Sequence, residues 1–204
     1  KPGSVGVAAG ATLAIIDAAN QMLPAGATGE VVIRGPGVTA GYESNATANE
    51  AAFVDGWFRT GDQGYLDEEG YLFLTGRLKE IISRGGEKIA PKELDEVLGQ
   101  HPAVAQAVAF AVPHPTLGED VAAAVVLKEG RTVPERELRG FLAARLADFK
   151  IPQQLVFLPE IPKGPTGKVQ RVGLAAQLAD HLRSRREQGF EAPTTPAEVE
   201  LASG

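Results

Sequence analysis

One change of pattern, at Arg77-Leu78-Lys79, most constrains how this chain folds. Before it, short apolar runs such as residues 12–16 and 30–33 alternate with glycine and proline, as in β-strands joined by turns. After it, segments with helical spacing alternate with buried apolar runs. The sequence therefore predicts an α+β protein with a β-rich unit over residues 1–78, a compact α+β unit over residues 79–186 and a linker or tail over residues 187–204.

Within the β-rich unit, the clearest local prediction is a hairpin. Residues 64–66 and 71–74 flank Asp67-Glu68-Glu69-Gly70, where the glycine suits a positive φ. A short helix is predicted over residues 45–53, with Asn45 as its N-cap.

In the second unit, proline marks the start of two predicted helices. Pro91 suits the first position of a helix that continues over residues 92–100, and Pro134 opens another, with acidic residues in its first turn. An apolar stripe on the second helix consists of Leu138, Phe141, Leu142 and Leu146. Buried strands are predicted over residues 103–112, 120–127 and 154–158, and a last helix over residues 172–186.

Charge and cysteine content exclude several classes of function. The net charge of −6 gives no reason to expect a nucleic-acid partner, and the absence of cysteine excludes disulfides, thiolate metal sites and a cysteine nucleophile. The longest apolar runs have the length of a strand, and we expect no membrane span and no signal peptide. The sequence predicts a cytoplasmic protein. Because it starts at Lys1 and runs directly into strand-like sequence, we expect it to be part of a longer protein.

Three segments carry candidate chemistry, and the first is Trp57-Phe58-Arg59-Thr60-Gly61-Asp62. An aspartate after a glycine is often simply a turn residue. The alternative is a carboxylate that accepts hydrogen bonds from both hydroxyls of a ribose. Trp57 itself is predicted to lie in the core rather than against a ligand.

The second segment spans residues 76–89 and contains Gly85-Gly86. It is interpreted either as a solvated hairpin with a Gly-Gly turn or as a segment where a ligand passes close to the backbone. In the second interpretation, basic side chains near both of its ends could hold anionic or hydroxyl groups of the ligand.

The third segment is Pro162-Lys163-Gly164-Pro165-Thr166-Gly167-Lys168. It is not a P-loop, because Pro162 stands where that motif needs its first glycine and Val169 follows the lysine instead of Ser or Thr. Lys168 is either an ordinary exposed lysine or a lysine delivered to a site by a mobile loop.

Taken in order, these segments resemble motifs of the adenylate-forming superfamily: acyl-CoA synthetases, firefly-luciferase-like enzymes and peptide-synthetase adenylation domains. Residues 29–37 with Gly41-Tyr42 look like its strand-turn segment, and residues 58–62 like its Tyr/Phe-Arg-Thr-Gly-Asp motif. Residues 76–89 are similar to its hinge motif and residues 162–168 to its C-terminal lysine motif. The resemblance covers residues 1–182 and implies the C-terminal part of an AMP-forming acyl-CoA synthetase.

The resemblance also implies a fold and a set of nucleotide-binding residues. The first unit would be the last, barrel-like β subdomain of a large N-terminal domain, and the second a mobile lid that alternates between two conformations. Asp62 would bind the ribose hydroxyls of ATP, with Arg77 at the same ribose, and Lys79 would be the hinge. Lys168 would bridge the substrate carboxylate and the α-phosphate.

Coenzyme A would be the second substrate in such an enzyme. The resemblance implies that Gly85 and Gly86 line the pantetheine tunnel, and, more loosely, that Phe149 and Lys150 lie near the adenine and phosphates of CoA. Mg²⁺ is expected with ATP, but no dedicated metal site is predicted, since the three histidines have no ligand spacing. The implied context is acyl-CoA and fatty acid metabolism.

The family's phosphate loop and its Tyr-Gly-x-Thr-Glu segment do not occur in this sequence. We therefore expect the chain to need an N-terminal domain of the same protein and to be inactive alone. Two alternatives stay open: an adenylation domain that loads a downstream carrier protein through the linker around residues 192–200, and a noncatalytic interaction module that retains the fold. The second would be expected to have lost Asp62, Arg77 or Lys168, and all three are present.

Overall fold

Two β-sheets organise the chain, one in each of two units that span Lys1–Ile81 and Ile82–Gly204. The structure, a computed structural model, describes residues 1–38, 51–165 and 167–187. The predicted helix at residues 45–53 and the Gly41-Tyr42 motif lie wholly or largely outside the described residues.

The first unit contains a curled half-barrel sheet, as the barrel-like prediction implied. Its strands are β1 (Gly6–Val7), β2 (Thr12–Ile16), β3 (Gly29–Arg34), β4 (Phe53–Val54), β5 (Trp57–Leu66) and β6 (Tyr71–Arg77). They are ordered β1-β6-β5-β3-β2, with β4 on β5, and every pairing is antiparallel.

Both faces of this sheet bury apolar side chains because neighbouring residues of a strand point to opposite sides. Ile15 and Val31 pack in one cluster, whereas Ile16 and Val32 pack in another with Trp57. The prediction that Trp57 is a core residue is therefore confirmed.

The predicted hairpin connects β5 and β6. Gly70 has φ 81°, and the Asp67 carboxylate accepts backbone hydrogen bonds from Glu69 and Tyr71 at 3.0 and 2.9 Å. Asp67 thus closes the turn locally, which explains why the strands pair here without a longer loop.

The second unit contains a five-stranded sheet. Its strands are β7 (Ile82–Arg84), β8 (Glu87–Ile89), β9 (Val104–His114), β10 (Gly118–Leu127) and β11 (Gln154–Phe157). The order is β11-β10-β7-β8 with β9 on β10, and only the pairing of β10 with β11 is parallel. Its helices are α1 (Pro91–Gly99), α2 (Glu135–Ala143), α3 (Leu174–Gln177) and α4 (Ala179–Glu187).

Strand β10 is the centre of this unit and is buried on both faces. Val121, Ala123 and Val125 pack in the cluster that contains side chains of α1 and α2. Ala122 and Ala124 point the other way, into a cluster that includes leucines of α3 and α4. The run predicted over residues 120–127 is therefore a strand covered on both sides, as its continuous apolar character indicated.

The prediction of one continuous helix over residues 172–186 is wrong. Val172 is exposed, and Gly173 has a left-handed backbone with φ 91°, which no helix accommodates. The segment then forms two helices, α3 and α4, separated at Leu178, whose φ of −102° and ψ of 15° interrupt the helical geometry. Leu146 of the predicted stripe similarly lies beyond the end of α2 at Ala143.

In the part of the chain that the structure describes, no helix combines the length and apolar character needed to cross a membrane.

Candidate functional site

The first candidate group is an ion pair across strands β5 and β6. Asp62 lies opposite Arg77 in the strand register, and the two side chains form an ion pair with 2.8 Å between Arg77 Nε and Asp62 Oδ1. The side chains are 24% and 61% exposed, respectively, so solvent and ligands reach both. The structure therefore brings together the two residues that were predicted to meet one ribose.

The segment that carries Asp62 is a bulged strand rather than a turn. The pairing of β3 with β5 shifts register between Glu30 and Val32, and Gly61 has φ 70°. Thr60 Oγ1 donates to the Val31 carbonyl at 2.7 Å and accepts from the Asp62 backbone N–H at 3.0 Å. Such bulges redirect side chains, and this one fixes the backbone from which Asp62 projects.

Glu30 supports this bulge and was missed by the sequence reasoning. Its side chain is only 6% exposed and accepts hydrogen bonds from Arg59 Nε at 2.9 Å and from the Gly61 backbone N–H at 3.2 Å. One sequence signal could have identified it, namely a single acidic residue within the apolar strand β3. A carboxylate buried in such a strand needs a cationic partner, so its presence predicts an ion pair.

Lys79, the predicted hinge residue, lies in a 3-10 helix formed by Leu78–Glu80, directly after β6. Its side chain is exposed. The boundary between the two units follows two residues later, after Ile81.

Gly85 and Gly86 form the two-residue turn between β7 and β8. Their φ values of 56° and 94° are both positive, as this kind of tight hairpin requires. The predicted hairpin is therefore present. A Cβ on Gly85 would contact Leu117 at 3.2 Å, whereas a Cβ on Gly86 would have no neighbour within 4 Å. Gly86 thus presents open backbone to its surroundings.

Arg84 connects this hairpin to the segment that contains Phe149. Its Nε donates to Asp120 Oδ1 at 2.6 Å, and its Nη1 donates to the Phe149 carbonyl at 3.4 Å. The structure therefore brings the Gly-Gly turn and Phe149 together, although 65 residues separate Arg84 from Phe149 in the sequence. Arg84 lies within the hinge-like motif at residues 76–89, and the sequence alone predicted no role for its side chain.

Phe149 and Lys150 lie in a second 3-10 helix, Asp148–Lys150. The Phe149 ring packs against the core of the unit. The Lys150 ammonium donates to both carboxylate oxygens of Glu93, at 2.8 and 2.7 Å. Lys150 is therefore a cation already held by a carboxylate of α1.

Lys168 lies at the end of a closed loop. Lys163 and Val169 form an isolated β-bridge, and the Gly164 N–H donates to the Lys168 carbonyl at 2.8 Å. The Lys168 side chain is exposed, and no ion pair involves it within residues 1–38, 51–165 and 167–187. The loop thus holds the Lys168 backbone while leaving its ammonium available to an anion; Thr166 lies outside the described residues.

One titration is perturbed next to this loop. Lys163 Nζ lies 2.5 Å from Glu160 Oε1, and the hydrogen bond from this ammonium lowers the pKa of the Glu160 carboxyl below its ordinary 4.5. The two lysines of the loop therefore differ: Lys163 is engaged by a carboxylate, and Lys168 is presented to solvent.

Two of the histidines accept hydrogen bonds from backbone N–H groups close to them in the sequence. His101 is buried, and its Nδ1 accepts a hydrogen bond from the Ala103 N–H at 3.2 Å; His114 Nδ1 accepts from Leu117 at the same distance. Among the described residues, no three His, Cys, Asp or Glu side chains are grouped so that they could hold a metal ion.

Known proteins are similar to this chain in both of its units. Residues 93–168 match the family model of the AMP-binding enzyme C-terminal domain. The oxalate–CoA ligase of Saccharomyces cerevisiae is 49% identical over 187 residues, which are 91% of this chain and 34% of that protein.

Two solved structures are similar in fold. ATP-bound MatB from Rhodopseudomonas palustris matches with a TM-score of 0.82 and 34% identity over 88% of this chain and 36% of that one. The o-succinylbenzoate CoA synthetase of Bacillus subtilis, in complex with an acyl-adenylate intermediate, matches with a TM-score of 0.79 and 36% identity over 85% of this chain and 36% of that one. The chain thus spans about a third of the length of the relatives it matches.

Proposed function

We propose that this chain is the C-terminal part of an ATP-dependent acyl-CoA synthetase, because residues 93–168 match the AMP-binding enzyme C-terminal domain and an oxalate–CoA ligase is 49% identical over 91% of the chain. The whole enzyme would convert a carboxylate and ATP into acyl-AMP and pyrophosphate, and then acyl-AMP and CoA into the thioester and AMP. An N-terminal region of the kind found in the longer relatives would supply the rest of the site.

The observation that carries the proposal is the Asp62–Arg77 pair. A carboxylate whose one oxygen is fixed by a guanidinium at 2.8 Å still has lone pairs for hydroxyl donors, and it is partly exposed. Two adjacent hydroxyls of a ribose match such an acceptor, while Arg77, which is more exposed, adds donors to the same ligand. The bulge held by Glu30 keeps this acceptor in one orientation.

In the first half-reaction, Lys168 would neutralise negative charge. A substrate carboxylate oxygen attacks the α-phosphorus of ATP, the bond to the β-phosphate oxygen breaks, and pyrophosphate leaves with the bonding electrons. An ammonium near both the carboxylate and the α-phosphate lowers their repulsion and stabilises the charge that develops. Lys168 fits this role because its ammonium is exposed on a loop whose backbone is closed by hydrogen bonds.

In the second half-reaction, the CoA thiol attacks the acyl carbonyl and AMP leaves. The Gly85-Gly86 turn would lie beside the pantetheine arm, since an extended chain passes closest to backbone that lacks side chains. Phe149 is attached to this turn through Arg84 and would lie on the same side of the lid as CoA. Lys79 would be the hinge about which the lid rotates between the two half-reactions.

Mg²⁺ would accompany ATP, but the described residues of this chain offer no cluster of ligands that fits the ion. A Mg²⁺ ion would therefore be held by the nucleotide phosphates and by residues of the N-terminal region.

The relative named for oxalate is 49% identical to this chain, so oxalate is the first acid to test, followed by other short dicarboxylates and then fatty acids. The CoA reading is favoured over a carrier-protein acceptor because the relatives are CoA ligases.

Lys168→Ala in the full-length protein tests the proposal. Adenylation, measured as pyrophosphate release, should fall by roughly 10²–10³-fold, as expected when one charge-stabilising group is removed, whereas thioester formation from supplied acyl-AMP should change little. Lys163→Ala is the matched control, because it removes an exposed lysine from the same loop. A full-length protein that releases no pyrophosphate with any acid would contradict the proposed function, as would robust activity of the 204-residue chain alone.

Gly86→Leu tests the second half-reaction. It should slow thioester formation and spare adenylation, since the added side chain projects into space that is open in this unit. Gly130→Leu is the control, because Gly130 also has a positive φ, of 68°, and no neighbour within 4 Å of an added Cβ. Equal effects of the two substitutions would indicate backbone strain alone and would count against a CoA path at Gly86. Offering the enzyme CoA and a phosphopantetheinylated carrier in parallel distinguishes the two acceptors, and turnover with neither would favour the noncatalytic module.

A further inference from the structure

Arg171 follows the candidate catalytic lysine by three residues and makes a two-point ion pair with Asp95 of α1. Its Nη2 lies 2.8 Å from Asp95 Oδ2, and its Nη1 donates to Asp95 Oδ1 at 3.3 Å. The two side chains are 15% and 19% exposed, which makes this pair far less solvated than a surface ion pair. Parallel bonds of this kind fix the orientation of both groups.

The backbone of Ala109 completes the network. The Ala109 N–H donates to Asp95 Oδ1 at 2.6 Å, and Arg171 Nη1 donates to the Ala109 carbonyl. Three parts of the unit are thereby joined: helix α1, strand β9 and the chain that leaves the lysine loop. Strand β9 is the most firmly embedded of these, because its neighbouring residues Val108 and Phe110 are buried in the core.

The lysine loop has different anchors on its two sides. Before the loop, Ile161 is fully buried and fixes the chain by packing. After it, Val169 is only partly buried, Gln170 is exposed and Val172 is exposed, so little apolar packing holds this side until Leu174. Arg171 lies between these exposed residues and is attached to both α1 and β9. Its guanidinium therefore supplies the polar anchor for the C-terminal side of the loop.

We propose that Arg171, held by Asp95, is a positioning residue that fixes the backbone of Lys168 for adenylation; this inference rests on the proposed function of Lys168. Arg171 can restrain Lys168 through the backbone, because only two residues, Val169 and Gln170, separate them. The Gly164 N–H donates its hydrogen bond to the Lys168 carbonyl across this loop, so displacement of residue 168 also opens the loop.

The chemistry of the pair indicates which substitutions are informative. Arg171→Lys keeps the charge but loses the planar fork, so one ammonium cannot bond both oxygens of Asp95 and the Ala109 carbonyl in the same geometry. Asp95→Asn keeps an oxygen for the Ala109 N–H but removes the charge that holds Arg171. Both changes leave Lys168 itself intact.

Arg139→Lys is a matched control. Arg139 is 21% exposed, pairs with Glu135 and donates to the Gln153 carbonyl at 2.6 Å, so it also is a partly buried arginine that joins a helix to backbone. It lies on α2, and its partners Glu135 and the Gln153 carbonyl lie outside the lysine loop. Loss of general stability should therefore be similar in the two arginine variants, whereas loss of loop position should not.

Two measurements on the full-length protein and its variants test the inference. Amide hydrogen exchange of Gly164 and Gly167 should accelerate in Arg171→Lys and Asp95→Asn by about tenfold or more, and should stay at the parent rate in Arg139→Lys. Pyrophosphate release should fall by roughly 10–100-fold in the first two variants, since displacement of a reacting group by about 1 Å has effects of this size. Thioester formation from supplied acyl-AMP should remain within about threefold of the parent.

The outcomes separate the inference from the function on which it rests. Unchanged exchange in Arg171→Lys, or equal losses in both half-reactions, would overturn the positioning role while leaving the synthetase proposal intact. A parent protein without adenylation would overturn the proposed function and the role of Arg171 in it. Accelerated loop exchange combined with a selective loss of adenylation supports the inference.

Discussion

Glu30→Ala is the most direct test of how the candidate ribose site is built. The Glu30 carboxylate is buried in β3 and receives the Arg59 side chain and the Gly61 N–H. Removing it leaves that N–H without its partner and leaves a guanidinium beside an apolar strand. Because Gly61 directly precedes Asp62, the bulge that orients Asp62 should loosen as well.

The magnitude follows from the burial of the two partners. Breaking a fully buried ion pair by removing one partner destabilises a protein by about 3–5 kcal/mol. Arg59 is 34% exposed and regains part of its hydration when Glu30 is removed, so we expect a smaller loss of about 2–3 kcal/mol in the free energy of unfolding. Glu30→Gln retains an oxygen for the Gly61 N–H and should lose about half of that.

The single tryptophan makes the assay specific to this unit. Trp57 is buried at the start of β5, so its fluorescence during urea unfolding reports the first sheet and not the second. Glu68→Ala removes an exposed glutamate from the neighbouring hairpin turn and should change the unfolding free energy by less than about 0.5 kcal/mol.

A double-mutant cycle with Arg59→Met completes the test. If the pair acts as described, the two substitutions should be clearly non-additive, with a coupling of about 1 kcal/mol or more. Glu30→Ala within about 0.5 kcal/mol of the parent, or additive effects in the cycle, would refute the reasoning. Nucleotide affinity should fall together with stability, because the same bulge carries Asp62.

Two further predictions concern backbone packing and pH. Gly64→Ala should destabilise the first unit by about 2–3 kcal/mol by Trp57 fluorescence, because the new Cβ would lie 2.4 Å from the Phe73 carbonyl oxygen; a neutral effect would contradict the strand spacing. Lys163→Gln should return the pKa of Glu160 towards its ordinary 4.5, measured by NMR titration of the carboxyl group. Since Lys163 lowers that pKa in the folded protein, the stabilisation from this pair is present above pH 4.5 and is lost as the pH falls through the lowered pKa. A Glu160 titration that is identical in both proteins would contradict this.

Local sequence determined most of the secondary structure because its signals act over a few residues. Apolar runs bounded by glycine and proline placed β2, β3 and β10, and the Asp67–Gly70 turn placed the β5–β6 hairpin. The last helix was mispredicted as continuous because the backbone at Gly173 and Leu178 is not helical, although Leu174, Leu178 and Leu182 recur every four residues and are buried. The periodicity of apolar residues indicates which side chains are buried, but it does not show whether they lie on one uninterrupted helix.

The sequence by itself also predicted the resemblance to a family, since ordered motifs survive as residue types at fixed spacing. It could not assign partners to the charged residues within those motifs. Glu30 with Arg59, Arg84 with Asp120, and Arg171 with Asp95 are separated by 29, 36 and 76 residues, and only the strand register and helix packing bring each pair together. Whether a carboxylate is exposed to solvent or buried in an ion pair depends on which segments pack against it. Those segments are distant in the sequence. The motifs therefore predicted which residues form the candidate site, and the tertiary structure decided which side chains hold those residues in place.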